Sequence, residues 1–547
     1  MIRTRIPKLA LLVALALAPC AMWAQETPFR SSWRAVDPGA ELIVSDDVIR
    51  LSLEDAVAVA LSRNLGLRIE RFSRARSLFQ IQQERGIYDL GLTVDASTLE
   101  ETTPSSSTLD GARSREFEGQ NFDVRLDQLV PIGGTASLNW TNGRTTTNSL
   151  FAEINPSFAV GFDVLYSQPL LNGFGRLVTN RNLRVAEINS DISVENLEIA
   201  IVETIQLVEN AYWTLVESRQ QLAVDEESLG LANQLHEMNR VQVEVGTMAP
   251  LELIQSEVGI AIRQEAIIRS QAAVEDASDA LRRLLNLEGE ALWISRIEPV
   301  TDPETTRPAI DLESALSTAI AERPDIASER LALQTLEIDQ QFFRHLKLPA
   351  LDLQVRYGFN GVGGDRRIRE DPEDIFNPNP VFTVIPGGID DALQQVIDAE
   401  SDGWQLALNF RYPIQNRQAR ARATGAALAV EQGRTQLEDL LLTVRTEVRT
   451  AARGVQTAAQ QIDSARKSRE LAERNLDAEQ KRYENGLSTS FQVLEIQEDL
   501  SQARSREVAA VTGYRRALVS YYRAIGRLLD ENGVVIEDTK EFDELEP

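Results

Sequence analysis

The sequence predicts an α+β membrane protein built from two copies of one unit, and each copy runs helix, β-hairpin, long helix, helix. Three observations support this prediction. Several motifs occur twice in the same order, segments of alternating polar and apolar residues lie between helical segments, and two helical segments of about 70 residues lack proline. A chain with this pattern would cross a membrane with its strands and keep its helices outside the lipid.

The duplication is visible in pairs of motifs whose spacing drifts slowly along the chain. The offset between paired motifs falls from 259 residues at the first pair to 240 at the last. Such a drift is typical of a duplicated unit whose loops differ in length between the copies. The pairs are Ser52–Ala56 with Asp311–Ala315, Gln168–Asn172 with Tyr412–Asn416, Glu244–Gly246 with Glu484–Gly486, and Leu281–Leu285 with Tyr521–Ile525.

The first 24 residues have the pattern of a secretory signal peptide. Arg3, Arg5 and Lys8 precede a ten-residue apolar run, and Ala24 ends the segment at a plausible cleavage site. Lipidation at Cys20 is the alternative, but a proline precedes this cysteine at a position where a small residue is needed. The segment therefore predicts an exported protein.

The duplicated motifs and the local composition divide the chain into six predicted segments. The link between the repeats is rich in proline, and the last segment is acidic. The segments are a signal peptide over residues 1–24, an N-terminal strap over 25–50, a first repeat over 51–287, a connector over 288–309, a second repeat over 310–529, and a C-terminal tail over 530–547.

Alternating segments near the middle of each repeat predict β-strands. They span about 89–168 in the first repeat and about 350–412 in the second, where a connection rich in proline, glycine and acidic residues covers 361–403. Strands of roughly ten residues with one apolar and one polar face fit lipid on one side and water on the other. A soluble antiparallel sheet with one face on a core is the alternative. The signal peptide favours membrane strands.

Two helical segments are far longer than the helices of ordinary globular domains. Residues 176–245 and 418–485 contain no proline, and at about 1.5 Å per residue each would be on the order of 100 Å long. The second has small apolar residues at helical spacing, among them Val444, Val448 and Ala451, which allow helices to approach closely. These lengths predict an extended helical array. A filamentous coiled-coil rod is the alternative, but it leaves the strands and the duplication unexplained.

Composition and charge argue against several classes of function. With 83 acidic and 56 basic residues the formal charge is −27, which would repel nucleic acid. One cysteine excludes an internal disulfide framework, and two histidines argue against a histidine-rich metal site or a Ser-His-Asp triad. No phosphate-binding loop, zinc-protease motif or nucleophile elbow occurs. We therefore expect no catalysis, no cofactor, no metal and no nucleic-acid partner.

A glycine-containing turn follows each long helical segment. The turn spans Gly246–Pro250 in the first repeat and Gly486–Ser490 in the second. Glycine is the usual residue after the end of a helix, and proline or a hydroxyl residue commonly opens the next one. The two turns therefore predict two helical hairpins, each with its tip at these residues.

With these features together, the chain resembles the TolC-like outer-membrane efflux proteins. The resemblance covers nearly all of the mature chain and depends on the paired repeat starts, on Arg323–Asp325, on the paired motifs at Gln168–Asn172 and Tyr412–Asn416, and on Arg482–Gly486. It implies a homotrimer whose subunits share one outer-membrane β-barrel, continued by a periplasmic α-helical barrel. Residues 119–170 depart from the family pattern, because they hold more strand-like sequence than one hairpin needs.

The resemblance also implies roles for residues near the two tips. The tips would lie at the periplasmic end, where the tunnel closes and an adaptor docks. Gln492 and Glu495 would ring the aperture, with Glu252 as the first-repeat counterpart, or these residues would lie on a solvated helix face. Arg482 and Tyr483 would latch neighbouring helices, with ordinary packing as the alternative for Tyr483. The predicted docking residues are Gly246, Thr247, Gly486, Leu487 and Ser488.

The function that the resemblance implies is that of an outer-membrane channel in a tripartite efflux or type I secretion system. Such a channel works with a periplasmic adaptor and an inner-membrane transporter, and it contacts outer-membrane lipid. The alternative is an exported structural coiled-coil protein of the cell envelope without a transport role. The transporter selects the cargo, and the sequence of the channel does not specify it.

Overall fold

The computed structural model describes residues 31–34, 44–45, 48–105, 114–287, 289–370, 380–535 and 537–540. The predicted signal peptide, most of the predicted strap and the end of the predicted tail lie outside these residues. The described residues form two compact units. A sheet unit takes in Leu78–Ile188 and Leu333–Gln432, and a helical unit takes in Asn189–Ala332, the chain from Gly433 onward, and the segment that ends at Ser77.

The secondary structure of the described residues comprises twelve strands and twelve α-helices. The strands are β1 Ser31–Arg34, β2 Val44–Ser45, β3 Val48–Leu51, β4 Gly91–Pro104, β5 Ser114–Leu129, β6 Thr135–Thr147, β7 Ile154–Pro169, β8 Arg296–Pro299, β9 Ala350–Arg369, β10 Phe382–Ile385, β11 Asp402–Arg411 and β12 Glu537–Lys540. The helices are α1 Leu53–Arg63, α2 Leu65–Arg85, α3 Arg176–Thr179, α4 Arg181–Glu244, α5 Leu251–Leu285, α6 Glu290–Ile294, α7 Leu312–Glu322, α8 Pro324–His345, α9 Ile389–Ile397, α10 Arg417–Glu484, α11 Ser490–Ala524 and α12 Leu528–Glu531.

The sheet unit contains one antiparallel sheet of seven strands. Strands β4 to β7 follow one another in the sheet as they do in the chain. Strand β7 pairs with β9, so that strands of both repeats join in a single sheet. Strands β10 and β11 pair with the other edge of β9 at different points along its length.

The sheet has one apolar and one polar face, as the alternation in the sequence predicts. A polar row crosses β5, β6 and β7, where Arg125 Nε donates to Asn139 Oδ1 at 2.9 Å and Asn139 Nδ2 donates to Asp163 Oδ2 at 2.9 Å. The adjacent row is apolar from β4 to β11, and consists of Leu92, Leu126, Leu138, Val164, Tyr357 and Trp404. The two faces therefore differ in polarity across the width of the sheet.

The first repeat holds two hairpins, one more than the predicted unit contains. The additional strands are β6 and β7, which lie in the segment that departs from the family pattern. In the second repeat, β9 extends to Arg369, and β10 and α9 lie within residues 361–403, which the sequence predicts to be a connection. The short apolar patterns of β10 and α9 are masked in the sequence by the surrounding proline, glycine and acidic residues.

The helical unit is organised around the two long helices. These are α4 with 64 residues and α10 with 68. Val444 and Val448, which belong to the row of small apolar residues noted in the sequence, are buried and form the α10 seam. Ile205, Val208 and Tyr212 form a corresponding buried seam on α4. The α4 seam packs with α1 and α5 in one hydrophobic core, and the α10 seam packs with α7 and α11 in a second. The duplicated sequence thus builds two similar cores.

The motif pair that begins each repeat is a pair of helix starts. Ser52 precedes α1, and its Oγ accepts a hydrogen bond from the Asp55 amide at 3.0 Å. Asp311 precedes α7, and its carboxylate accepts one from the Ser314 amide at 3.2 Å. Such caps satisfy backbone donors that the helix itself leaves unpaired. The same capping chemistry therefore explains why this motif occurs twice.

Two small sheets accompany the helices. Strand β3 pairs with β2 antiparallel and with β8 in parallel, which brings the end of the predicted strap to the predicted connector. Strand β1 pairs with β12 antiparallel. Among the helices that the structure describes, none combines the length and the hydropathy needed to cross a membrane.

Candidate functional site at the helical hairpin tips

The two tips have the same backbone structure. Gly246 and Gly486 have φ angles of +77° and +70°, in the left-handed region that glycine adopts without strain. In the second tip, the Gly486 amide donates to Tyr483 O at 2.9 Å. The Leu487 amide donates to Arg482 O at 2.8 Å, and the first tip has the same pair of bonds. This is the Schellman arrangement, which satisfies carbonyl groups at the end of a helix.

The apexes of both turns are exposed. Leu487 is 70% exposed and Val245 is 68% exposed, although both side chains are apolar. A Cβ atom added at Gly246 or Gly486 would meet no other atom within 4 Å. Of the predicted docking residues, only Ser488 is half-buried. The two turns therefore present an open surface with little side-chain obstruction.

Tyr483 joins the second hairpin to the first. Its side chain is buried, and its hydroxyl donates a hydrogen bond to Oδ1 of Asn239 on α4. The same hydroxyl lies 3.9 Å from the sulfur of Met248. Burial, together with the negative charge of Glu252, raises the pKa of Tyr483 to about 12, so the phenol keeps the proton that it donates. This predicted latch residue links two hairpins of one chain.

Glu252 and Ser490 form a second link between the hairpins. Ser490 is fully buried, and its hydroxyl donates to Oε2 of Glu252. Asn239 Nδ2 also reaches the backbone carbonyl of Glu252, at 3.5 Å. Glu252, the predicted first-repeat aperture residue, therefore uses its carboxylate to hold the two tips together.

Gln492 and Glu495 lie on the exposed side of α11, three residues apart. Gln492 Nε2 donates to Glu495 Oε2 at 3.1 Å, and both residues are exposed. The buried side of the same helix carries Val493, Ile496 and Leu500. The two residues predicted for the aperture thus take no part in joining the hairpins, and their polar groups remain solvated in the single chain.

Glu479 is a buried carboxylate that no motif in the sequence identifies. Its side chain is 5% exposed, and it pairs with Arg482 Nη1 at 2.9 Å. It also accepts a hydrogen bond from Ser488. Arg482, the other predicted latch residue, therefore pairs within its own helix. With the offset of 240 residues between the repeats, Glu479 corresponds in sequence to the buried Asn239 of the first copy. This correspondence is a sequence signal that could have identified both residues as candidates.

A small hydrophobic cluster underlies these polar links. It combines residues of α4, α10 and α11, and its buried members are Leu235, Leu476, Tyr483, Val493, Ile496 and Leu500. Each polar bond between the hairpins therefore forms next to an apolar core, where an unpaired polar group is costly. Within the residues that the structure describes, no three His, Cys, Asp or Glu side chains are grouped in a way that could hold a metal ion.

Comparison with known proteins identifies relatives of this chain. The family model described as outer membrane efflux protein matches residues 125–287 and 315–527. The pyoverdine export outer membrane protein OpmQ of Pseudomonas putida is 23% identical over 407 residues, which cover 74% of this chain and 76% of the relative. OpmQ of Pseudomonas aeruginosa is 23% identical over 431 residues, which cover 77% of this chain and 79% of the relative.

Solved structures of outer-membrane channels share the fold. The channel OprN aligns with a TM-score of 0.64 at 16% identity, over 92% of this chain and 98% of that chain. The CmeC channel of Campylobacter jejuni aligns with a TM-score of 0.61 at 16% identity, over 95% of this chain and 91% of that chain. The fold is therefore that of the TolC-like channels. Because the family model matches well over half of its length, this chain belongs to the outer membrane efflux protein family and is located in the outer membrane.

Proposed function

We propose that this protein is the outer-membrane channel of a tripartite export system. It receives substrates from an inner-membrane transporter through a periplasmic adaptor and releases them outside the cell. The main support is the pair of tips, which have the same backbone turn, are joined by side-chain bonds and are exposed at their apexes. The pyoverdine exporters among its relatives favour small molecules over proteins as the cargo.

The functional assembly in this proposal is a homotrimer. One chain leaves a stripe of apolar side chains exposed on α5, at spacings of three and four residues. The stripe consists of Leu251, Ile254, Val258 and Ile262, each more than half exposed. An uncovered stripe of this kind on a long helix favours packing against another protein surface. A neighbouring copy of the same chain would bury the stripe and place three pairs of tips around one axis.

The aperture of such a trimer would be lined by Gln492 and Glu495. Three Glu495 carboxylates close to one axis would attract cations and would oppose one another's ionisation. The bonds of Tyr483 with Asn239 and of Ser490 with Glu252 fix the two hairpins of each chain. Opening the aperture by separating the hairpins would break these bonds, so Tyr483 acts as the latch within each subunit.

The adaptor would dock at the exposed turns. Leu487 offers an apolar contact, and Gly246 and Gly486 leave the backbone accessible to a partner. Thr247 adds a hydroxyl group at the first turn, where it already donates to Gln242 O at 3.0 Å. A partner that binds both turns would sense whether the two hairpins are together or apart.

Photo-crosslinking in the native cells tests this function. A photoreactive amino acid is placed at Leu487, and at Leu442 of α10 as a matched control with an exposed apolar side chain. We expect an adduct with a periplasmic adaptor from position 487 and none from position 442. If exporting cells give no adaptor adduct at position 487, docking at the tips is wrong. If deletion of the chain leaves export unchanged, the structural-protein alternative is favoured.

A further inference from the structure

Helix α9 packs against the apolar face of the sheet. Its Ala392 and Val396 are buried against Val160 of β7 and Phe359 of β9. The register of the strands places Phe359 and Val160 on the same face as Tyr357 and the exposed Trp404. Because this is the face whose other apolar side chains remain exposed, α9 lies on the side of the sheet that faces lipid in an outer-membrane protein.

Glycines in β9 make this close packing possible. A Cβ atom at Gly361 would overlap the carbonyl oxygen of Ala392, and one at Gly363 would overlap the carbonyl oxygen of Gly388. Only a residue without a side chain allows the helix to approach the strand so closely. The position of α9 is therefore specified by the sequence of β9 as well as by its own.

Gln395 fixes α9 to the edge of β9. Its Nε2 donates to Val362 O at 2.9 Å, and its Oε1 accepts from the Val362 amide at 3.1 Å. These bonds satisfy the backbone between the stretch of β9 that pairs with β11 and the stretch that pairs with β10. Covering a free edge is one role of the helix, and that role requires only the face that carries Ala392, Gln395 and Val396.

A second apolar stripe on α9 is only partly covered by the residues that the structure describes. Its middle residue, Leu393, packs beside the cluster of Ala392 and Val396, whereas the isoleucines on either side of it along the stripe are exposed. Ile389, Leu393 and Ile397 follow one another at four-residue spacing, so they share one side of the helix. Ile389 is 43% exposed and Ile397 is 65% exposed. The polar residues Asp390 and Gln394 lie on the remaining surface. A helix that only capped a strand edge in water would be expected to carry polar residues at positions 389 and 397.

The position of α9 along the length of the strands indicates which part of the membrane surrounds it. Strand β11 exposes an apolar row made of Trp404, Leu406, Leu408 and Phe410. Its ten residues span on the order of 30 Å, or about 25 Å when tilted, which matches the apolar band of a membrane strand. Phe359, which contacts α9, is the register partner of Asp402 at the start of β11. The other end of β11 leads into the first residues of α10, so α9 lies at the end of the apolar band opposite the start of α10.

We propose that α9 is an interfacial helix that inserts its second apolar stripe, Ile389, Leu393 and Ile397, into the outer leaflet of the outer membrane. Lipid covers the stripe: acyl chains contact the two isoleucines, and the headgroup region lies beside Asp390 and Gln394. An aromatic residue at the rim of an apolar band, as Trp404 is, fits this level. An apolar side combined with a polar side, here made of Asp and Gln residues, is the amphipathic pattern of interfacial helices.

Fluorescence quenching by lipid tests this proposal on the full mature chain. The only cysteine of the sequence lies in the predicted signal peptide, so a single introduced cysteine can carry a fluorophore. The variants are Ile397→Cys on the second stripe, Gln394→Cys on the polar side as the matched control, and Leu408→Cys on β11 as the membrane reference. Each labelled protein is reconstituted into vesicles of phosphatidylcholine with brominated acyl chains and, separately, into unbrominated vesicles.

The expected result is that the Ile397 label loses about half or more of its fluorescence in brominated vesicles, whereas the Gln394 label loses much less. Quenching of the Ile397 label by aqueous iodide but not by brominated lipid would overturn the proposal, because α9 would then lie in water. Protection from both quenchers would also overturn it and would indicate that a second copy covers the helix. Quenching of the Leu408 label by brominated lipid shows separately whether the sheet lies in the membrane. An experiment in which the sheet is not inserted can therefore be told apart from one in which only α9 lies outside the lipid.

Discussion

The two helical hairpin tips share their backbone but differ in the side chains that join them. Both turns have a left-handed glycine and the same pair of hydrogen bonds. The first hairpin supplies the acceptors, Asn239 and Glu252, and the second supplies the donors, Tyr483 and Ser490. Val243 stands at the position of Tyr483 in the first copy, and its side chain has no hydrogen-bonding group. The two copies therefore share the turn but carry different, complementary side chains where the hairpins face each other.

This difference shows that the two copies are not interchangeable. Each link takes its donor from the second hairpin, because Val243 and Pro250 stand at the corresponding positions of the first and have no side-chain donor. Two copies of the first hairpin would therefore leave Asn239 and Glu252 without these hydrogen bonds. Because the links are buried, loss of a donor leaves an acceptor without a partner, which costs more than loss of an exposed bond.

Removal of the Tyr483 side chain should have the largest effect. Tyr483→Ala deletes a buried aromatic ring and leaves Asn239 without its donor, for a loss of about 3–5 kcal/mol in the local free energy of unfolding. Hydrogen exchange of the amides around both tips should become faster. Phe491→Ala is the control, since that ring is 63% exposed, and it should leave exchange nearly unchanged. Equal exchange in both variants would show that the hairpins do not depend on Tyr483.

Removal of the Tyr483 hydroxyl alone should affect the response to alkaline pH. The folded-state pKa of about 12 lies above the ordinary value of 10, so the stabilising contribution is complete below pH 10 and is lost as the pH rises towards 12. The conductance of the wild-type channel should therefore increase between these pH values. Tyr483→Phe, which keeps the ring, should lack this increase. An identical pH profile in the two proteins would rule out Tyr483 as the titrating latch.

Replacement of a tip glycine should have a moderate effect through the backbone alone. Gly486→Ala forces a side chain into a left-handed conformation and should reduce local stability by about 1 kcal/mol, although no atom would clash with the new methyl group. Gly454→Ala in α10 is the matched control and should stabilise its helix by up to about 1 kcal/mol. Amide hydrogen exchange measures the local stability at both sites. Slower exchange at the tip in Gly486→Ala would contradict the requirement for a left-handed turn.

The sequence predicts the duplicated architecture because its signals are local. Capping at Ser52 and Asp311, the turns at Gly246 and Gly486, and the two-residue alternation of the strands depend on neighbouring residues only. The pairing of Tyr483 with a residue 244 positions earlier depends on how two hairpins pack, so no local pattern reveals it.

Other features of the structure depend on which side chains are buried, and the sequence alone does not show this. Glu479 is one of several glutamates in α10, and its contact with Ser488 and its 5% exposure distinguish it from exposed ones such as Glu438. Helix α9 is hidden in a similar way, because glycines in β9 position it from a distance in the sequence. The sequence therefore predicts the long helices, most of the strands and the tips, whereas β10, α9 and the links between elements require the structure.

Substitution of Glu495 should have the smallest effect on stability and a specific effect on conduction. The side chain is exposed and takes no part in the links, so Glu495→Ala should leave hydrogen exchange at the tips unchanged. In the proposed trimer it should weaken block by divalent cations and reduce cation selectivity. Glu265→Ala, at an exposed position of α5, is the control. Unaltered block and selectivity in Glu495→Ala would favour a solvated helix face away from the aperture.

Conductance of the purified protein in a planar bilayer shows whether this chain forms a channel whose tips are held closed by the bonds between hairpins. We expect discrete conductance steps that are small in the wild type. The steps should become larger in Tyr483→Ala, because that change releases the two hairpins of each subunit. Absence of conductance steps in both proteins, or steps of the same size in both, would contradict this expectation.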